Sequence, residues 1–249
     1  MAGHSKWKQI KRKKAVTDSR RASHWTKLIR EITVAAKSGG GDPGGNPRLR
    51  LAIDTARSYN MPNENIDRAV KKGTGELEGV TYEEVTYEGY GPGGTALLIE
   101  ASTDNANRTV AEIRHVFSRN GGNLGASNSV AWMFDRKGLL TIEAAGKDED
   151  RAMEDALESG AEDFAREGDL FIVSTTVPTF HIVQDALKSR GYRIEAVELA
   201  QVPRNTVKVE GEDVSRVLKL VDLLEELDDV SKVFSNFDID ASHLAEAET

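Results

Sequence analysis

Gly138–Val202 reads GLLTIEAAGKDEDRAMEDALESGAEDFAREGDLFIVSTTVPTFHIVQDALKSRGYRIEAVELAQV. GLLTIEA (138–144) has the pattern of a strand, and DEDRAMEDALESG (148–160) that of a helix closed by glycine. AEDFARE (161–167) and DLFIVST (169–175) are two strands turned at Gly168-Asp169. TFHIVQDALKSRG (179–191) is a second helix and RIEAVELAQV (193–202) a fourth strand. The order β-α-β-β-α-β predicts a ferredoxin-like unit.

The flanks complete the architecture. After the unit, NTVKVE (205–210) reads as a strand and DVSKVFSNF (229–237) as another. Between them, 212–227 is a helix with Val214, Val217, Leu218, Val221 and Leu224 inward. A lone β-α-β tail cannot cover a sheet, so it needs the ββαβ block on the other flank. That block is YEEVTYEGY (82–90), TALLIEAS (95–102), a helix ended by Gly121, and SVAWMFD (129–135). The expectation is an α/β (α+β) protein of three domains. A basic helical domain spans 1–75, a discontinuous α/β domain 76–136 plus 204–249, and the ferredoxin-like insertion 137–203. The linkers Arg136-Lys137-Gly138 and Val202-Pro203-Arg204 would lie side by side.

In the helical part, residues 1–16 lack apolar periodicity and read as a flexible arm. Thr17 or Asp18 caps a helix to about Ser38 that buries Ala22, Trp25, Leu28, Ile29, Ile32, Ala35 and Ala36. Arg20, Lys27, Arg30 and Lys37 fall opposite, as a basic stripe. Gly39–Gly41 and Pro43 stop that helix, and Asn46-Pro47 caps the next, with Arg50 and Arg57 outward. Pro62 opens a third helix to Lys72, with Gly73 as its expected C′ residue.

Charge is distributed very unevenly. Residues 1–72 hold 17 Lys/Arg and 6 Asp/Glu, whereas 73–249 hold 16 and 35, so the overall −8 conceals +11 and −19. A polyanion meets a local surface rather than an average pI. Lysines Lys6, Lys8, Lys11, Lys13, Lys14, Lys27 and Lys37 supply point charges. Arg20, Arg21 and Arg30 of the first helix and Arg48 and Arg50 of PRLR can clamp phosphate or guanine in bidentate fashion, and Arg12 and Arg57 are further nucleic-acid candidates. Trp7, between two lysines, suits base stacking and equally suits anchoring the arm to the protein. The competing reading is that the basic segment docks on the chain's own acidic surface.

Other chemistries find little support. There is no cysteine, so disulfides, zinc thiolates and Cys nucleophiles are excluded. No apolar run approaches the roughly 18 residues of a membrane span. No two histidines share a helix face with a carboxylate at ligand spacing, and no metal or cofactor is expected. His115 and His181 read as half-buried helix residues. With Met1 removed, the free amine, two amides and imidazole of Ala2-Gly3-His4 could chelate Cu(II), which is read as incidental. GYGPGG resembles a dinucleotide fingerprint, but a strand follows it where a helix is required. It reads as a hairpin turn, with Tyr90, Gly91, Pro92 and Gly93 as a candidate functional loop. The acids sit in solvent-type runs such as EELDD, and nothing argues for an enzyme.

MAGHSKW (1–7), GGGDPGGNPRLRLAI (39–53), NMPNENIDRAVKKG (60–73), YEGYGPGG (87–94), TDNANRT (103–109) and GGNLG (121–125) closely resemble the YebC/PmpR family. Asn128 stands where that family usually has glycine. The family includes mitochondrial translational activators of cytochrome oxidase. With MAGHSKW at residue 1, the resemblance is to bacterial, cytoplasmic members. It implies a three-domain non-enzyme with one of two roles: a regulator that binds promoter DNA, or a translation factor on the ribosome that relieves stalls at proline-rich stretches. No helix-turn-helix, zipper or clear dimer device is legible, so a monomer on ribosomal RNA is the physical preference. A protein-interaction module is the remaining alternative.

Overall fold

A computed structural model describes residues 18–240, with side chains from residue 24 onward. Among these residues the chain forms two compact units. One comprises 134–204, the other the described residues up to 133 together with those from 205.

In the 134–204 unit the predicted order appears as β4 (Phe134–Glu143), α5 (Glu149–Glu158), β5 (Asp163–Glu167), β6 (Leu170–Thr175), α6 (Phe180–Ser189) and β7 (Ile194–Pro203). All pairs are antiparallel, in the order β5-β6-β4-β7, which is the ferredoxin-like arrangement. Leu140, Ile142, Phe171, Val173, Ala152, Ala156, Val183 and Leu187 are buried in this unit. Gly138 leaves room for Phe180, because a Cβ there would lie 2.3 Å from the Phe180 ring. Arg136, Lys137 and Gly138, expected in a linker, are strand residues that pair with Gln201, Ala200 and Leu199.

The other unit begins with three helices: α1 (Asp18–Gly39), α2 (Pro47–Ser58) and α3 (Asn63–Thr74). Ile32, Ala35, Ala36, Leu49, Ala52, Ile53, Ala56, Met61, Ile66 and Ala69 form their common core. Trp25 is half-buried and donates its indole N–H to Tyr59 O at 3.1 Å. Asn46 joins two helices: its Oδ1 caps Leu49 N, while its Nδ2 donates to Ala35 O and Gly40 O at 2.8 Å each. The expected stop at Gly73 is corrected. The helix runs through Gly73, and Gly75, at φ +83°, is the left-handed cap. A Cβ on Gly73 would meet Thr33 O at 2.4 Å. Helical glycine costs about 1 kcal/mol against alanine, whereas such overpacking costs about 1–3 kcal/mol, so glycine is the better residue at this helix contact.

The sheet of this unit contains β1 (Glu83–Tyr90), β2 (Ala96–Thr103), β3 (Asn123–Leu124) and β9 (Val230–Ser235) in the order β3-β1-β2-β9. Helices α4 (Ala106–Arg119) and α7 (Glu212–Glu226) bury Ile113, Phe117, Val217, Leu220, Val221 and Leu224 against Leu97, Ile99 and Val233. Strand β8 (Val207–Lys208) pairs in parallel with β10 (Phe237–Asp238), outside the main sheet.

The strand expected at 129–135 does not form. A short 3-10 turn occupies Ala131–Met133, and Phe134 begins β4 of the other unit. The cause is a carboxylate. Glu88, 6% exposed, accepts the N–H groups of Asn128 at 2.6 Å and of Val130 and Ala131 at 2.7 Å. Those donors satisfy a buried anion instead of a strand ladder. Asn128, at φ +63°, takes the left-handed backbone that glycine adopts without strain.

Candidate nucleic-acid interface

Lys6, Trp7, Lys8, Lys11, Arg12, Lys13 and Lys14 lie outside the described residues, as do the side chains of Arg20 and Arg21 on the first turn of α1. The rest of the expected basic set divides in two. Lys27 donates to Glu225 O, and Arg30 Nη1 donates to Asp228 O at 2.6 Å and Asp229 Oδ1 at 2.7 Å. These cations sit at the C-terminus of α7, where unpaired carbonyls and the negative dipole end favour positive charge. Helix α7 has no basic residue of its own in its last turn. The outward stripe expected on α1 is therefore corrected: two of its members face the chain's own backbone and acids.

Arg48 is similarly engaged, with Glu31 oxygens at 2.8 and 3.0 Å and Glu84 oxygens at 2.6 and 3.0 Å. Burial opposes its charge, but the Glu84 and Glu31 bonds outweigh burial and raise the guanidinium pKa above its ordinary value. Arg50 donates to Pro43 O and Gly44 O at 3.1 and 3.2 Å, bracing the glycine loop between α1 and α2. Lys37 and Arg57 remain exposed; Lys37 lies 3.4 Å from Tyr82 O, and Arg57 lies 3.9 Å from an exposed Asp54. Lys71 and Lys72, which the sequence reading left out, are exposed in the last turn of α3. Lys37 and Lys72 line one open groove of about 370 Å³ with Thr33, Gly75, Val80 and Tyr82. Glu78 lines the same groove.

The TDNANRT motif has a structural explanation. Asn105 caps α4 by accepting Arg108 N at 3.1 Å. Arg108 and Thr109 then reach Asp229 Oδ2 at 2.6 and 2.7 Å, and Thr103 joins at 3.2 Å. Asp229, 3% exposed, thus holds α1 through Arg30 and α4 through Arg108. Burial pushes its carboxyl up, but the Arg108 and Thr109 bonds and the Arg30 charge outweigh this and hold it below the usual range.

Tyr90 is the last residue of β1, and Gly91, Pro92 and Gly93 enter the β1–β2 hairpin connection. Gly91 N donates to Thr95 O at 2.8 Å, and Gly93 sits at φ +69°. Gly91 and Pro92 are buried. Of the two histidines expected to be half-buried, His181 is, but His115 is exposed. Among the described residues, no three His, Cys, Asp or Glu side chains gather as a metal site. No described helix is long and apolar enough to cross a membrane.

Two family models match the chain. One, described as the TACO1/YebC protein N-terminal domain, covers residues 5–76. The other, the TACO1/YebC second and third domain, covers 82–237. A "probable transcriptional regulatory protein" of Gemmatimonas aurantiaca is 59% identical over 247 residues, 99% of this chain and 100% of the relative. One of the same description from Chlorobium luteolum is 56% identical, covering 97% of both chains. The crystal structure of a conserved hypothetical protein from Aquifex aeolicus aligns with a TM-score of 0.82 at 47% identity, over 90% of this chain and 92% of that one.

Proposed function

The chain belongs to the TACO1/YebC family, and from that premise we propose that it is a non-catalytic regulator of gene expression that binds RNA of the ribosome. The observation that carries this reading is the orientation of α1. Its Lys27 and Arg30 face the end of α7, so α1 does not present them to a major groove. Among the described residues, exposed cations such as Lys37, Lys71 and Lys72 remain for a polyanion, and the sequence places six more in the stretch 6–14. A short basic segment beside scattered lysines suits irregular phosphates better than a regular duplex. On this reading residues 1–75 supply the principal contact, the acidic ferredoxin-like part is scaffold, and the protein acts as a cytoplasmic monomer.

A second reading is promoter DNA, compatible with relatives named probable transcriptional regulatory proteins. One experiment addresses both. Binding of the full chain to a ribosomal RNA fragment and to duplex DNA is titrated against salt, for wild type and for Lys11, Arg12, Lys13 and Lys14 all changed to Ala. The expected result is tighter RNA binding, with the slope flattened in the variant by roughly 0.7–0.9 per lost phosphate contact. An unchanged slope removes the basic segment from the interface, and tighter, sequence-selective duplex binding replaces RNA with DNA.

A further inference from the structure

We propose that Trp132 and the loop before it form a second contact with nucleic acid, a platform on which one unpaired RNA base stacks. Trp132 is 62% exposed, an unusual state for the largest aromatic side chain. Its ring is also oriented: Nε1 donates to Ser129 O at 3.1 Å. The same carbonyl accepts the Tyr90 hydroxyl at 3.0 Å. Glu88 fixes the backbone on either side of Ser129 through Asn128, Val130 and Ala131. The result is a stacking face whose ordering is already built into the fold, which reduces the entropy lost on binding.

The electrostatics point to a polyanion. From Ile113 to Phe134 there are two Arg, one His and no Asp or Glu. The stretch is bounded by Glu112 and Asp135, and Glu112 is exposed on α4 one turn before His115. Arg114, His115 and Arg119 lie on the exposed face of α4. A short series of contacts links the end of α4 to the tryptophan. Strand β3 pairs Asn123 with Tyr90 four residues after Arg119, and Tyr90 reaches the carbonyl that holds Trp132. Phosphate near Arg119 and a base on Trp132 would match the way proteins hold single strands, by charge plus aromatic stacking.

This inference rests on the RNA reading above, and the test separates the two. Affinity of the full chain for a fluorescent single-stranded RNA of about twelve nucleotides, a length within reported single-strand site sizes, is measured for wild type, Trp132→Ala and Trp132→Phe across salt concentrations. The proposal predicts that Trp132→Ala binds roughly 5- to 150-fold more weakly. Phe should restore most of the affinity, and the salt slope should not change, because indole carries no charge. Trp132→Ala binding with wild-type affinity overturns the platform and leaves the basic segment in place. Wild type showing no salt-dependent RNA binding overturns both readings.

Discussion

Asp229→Asn tests how the α1 helix is joined to the sheet. Asparagine preserves the shape and one acceptor oxygen but removes the charge facing Arg30 and Arg108. Taking one partner from a buried ion pair costs about 3–5 kcal/mol. Here Arg30 keeps 16% of its side chain exposed, and Arg108 has a second partner in Asp104 at 2.8 Å, so both cations remain partly compensated. The expected loss is about 2–3 kcal/mol. It is read from the urea midpoint at constant slope, followed by a probe within the unit that contains α1 and β9. The pH dependence supplies a second signature. The folded carboxyl is held below its ordinary range, so its contribution is complete above the unfolded pKa of about 3.9 and is lost as pH falls through the folded value. Wild type and variant should therefore differ most near neutrality and converge below about pH 4. A loss under about 0.5 kcal/mol, the range of an exposed pair, would refute the reasoning, as would a difference that persists in acid.

Three further outcomes follow from the same packing. Glu88→Gln leaves an amide where three backbone N–H groups converge; it should cost about 1–3 kcal/mol, with faster hydrogen exchange at Asn128, Val130 and Ala131. Asn128→Ala should lower stability by about 1 kcal/mol because φ is +63°, while Asn128→Gly should be neutral or slightly stabilising, both read from urea midpoints. Gly73→Ala should lower the melting temperature of the helical segment, since its Cβ would approach Thr33 O to 2.4 Å at a cost of about 1–3 kcal/mol, of which the better helix propensity of alanine returns about 1 kcal/mol.

Local pattern carried the fold far. Periodicity and turn residues placed the β-α-β-β-α-β order of 134–204 and the Asn46-Pro47 helix start. The misreadings share one origin, partners distant in sequence. Ser129-Val130-Ala131-Trp132-Met133-Phe134 is an apolar run that reads as a strand, yet the amides of Val130 and Ala131 turn to a glutamate about 40 residues earlier. Gly73 resembles a helix stop, but the Thr33 backbone decides its role. Lys27 and Arg30 fall on the outward side of an isolated helix, and their acceptors lie 198 or 199 residues away. Helical periodicity assigns a face without identifying its neighbour. For the candidate site, the sequence shows the asymmetry between a basic start and an acidic remainder. Which cations stay available to a ligand is a tertiary property, as is the exposure of Trp132.

The central claim is that the polyanion is RNA of the ribosome. Sucrose-gradient sedimentation of lysate containing the full chain, untreated or treated with RNase, DNase or high salt, tests it most directly. The account predicts co-migration with ribosomal particles that RNase or high salt abolishes and DNase leaves intact. A chain that stays at the top of the untreated gradient, and that ultraviolet light crosslinks to defined promoter DNA, would contradict it.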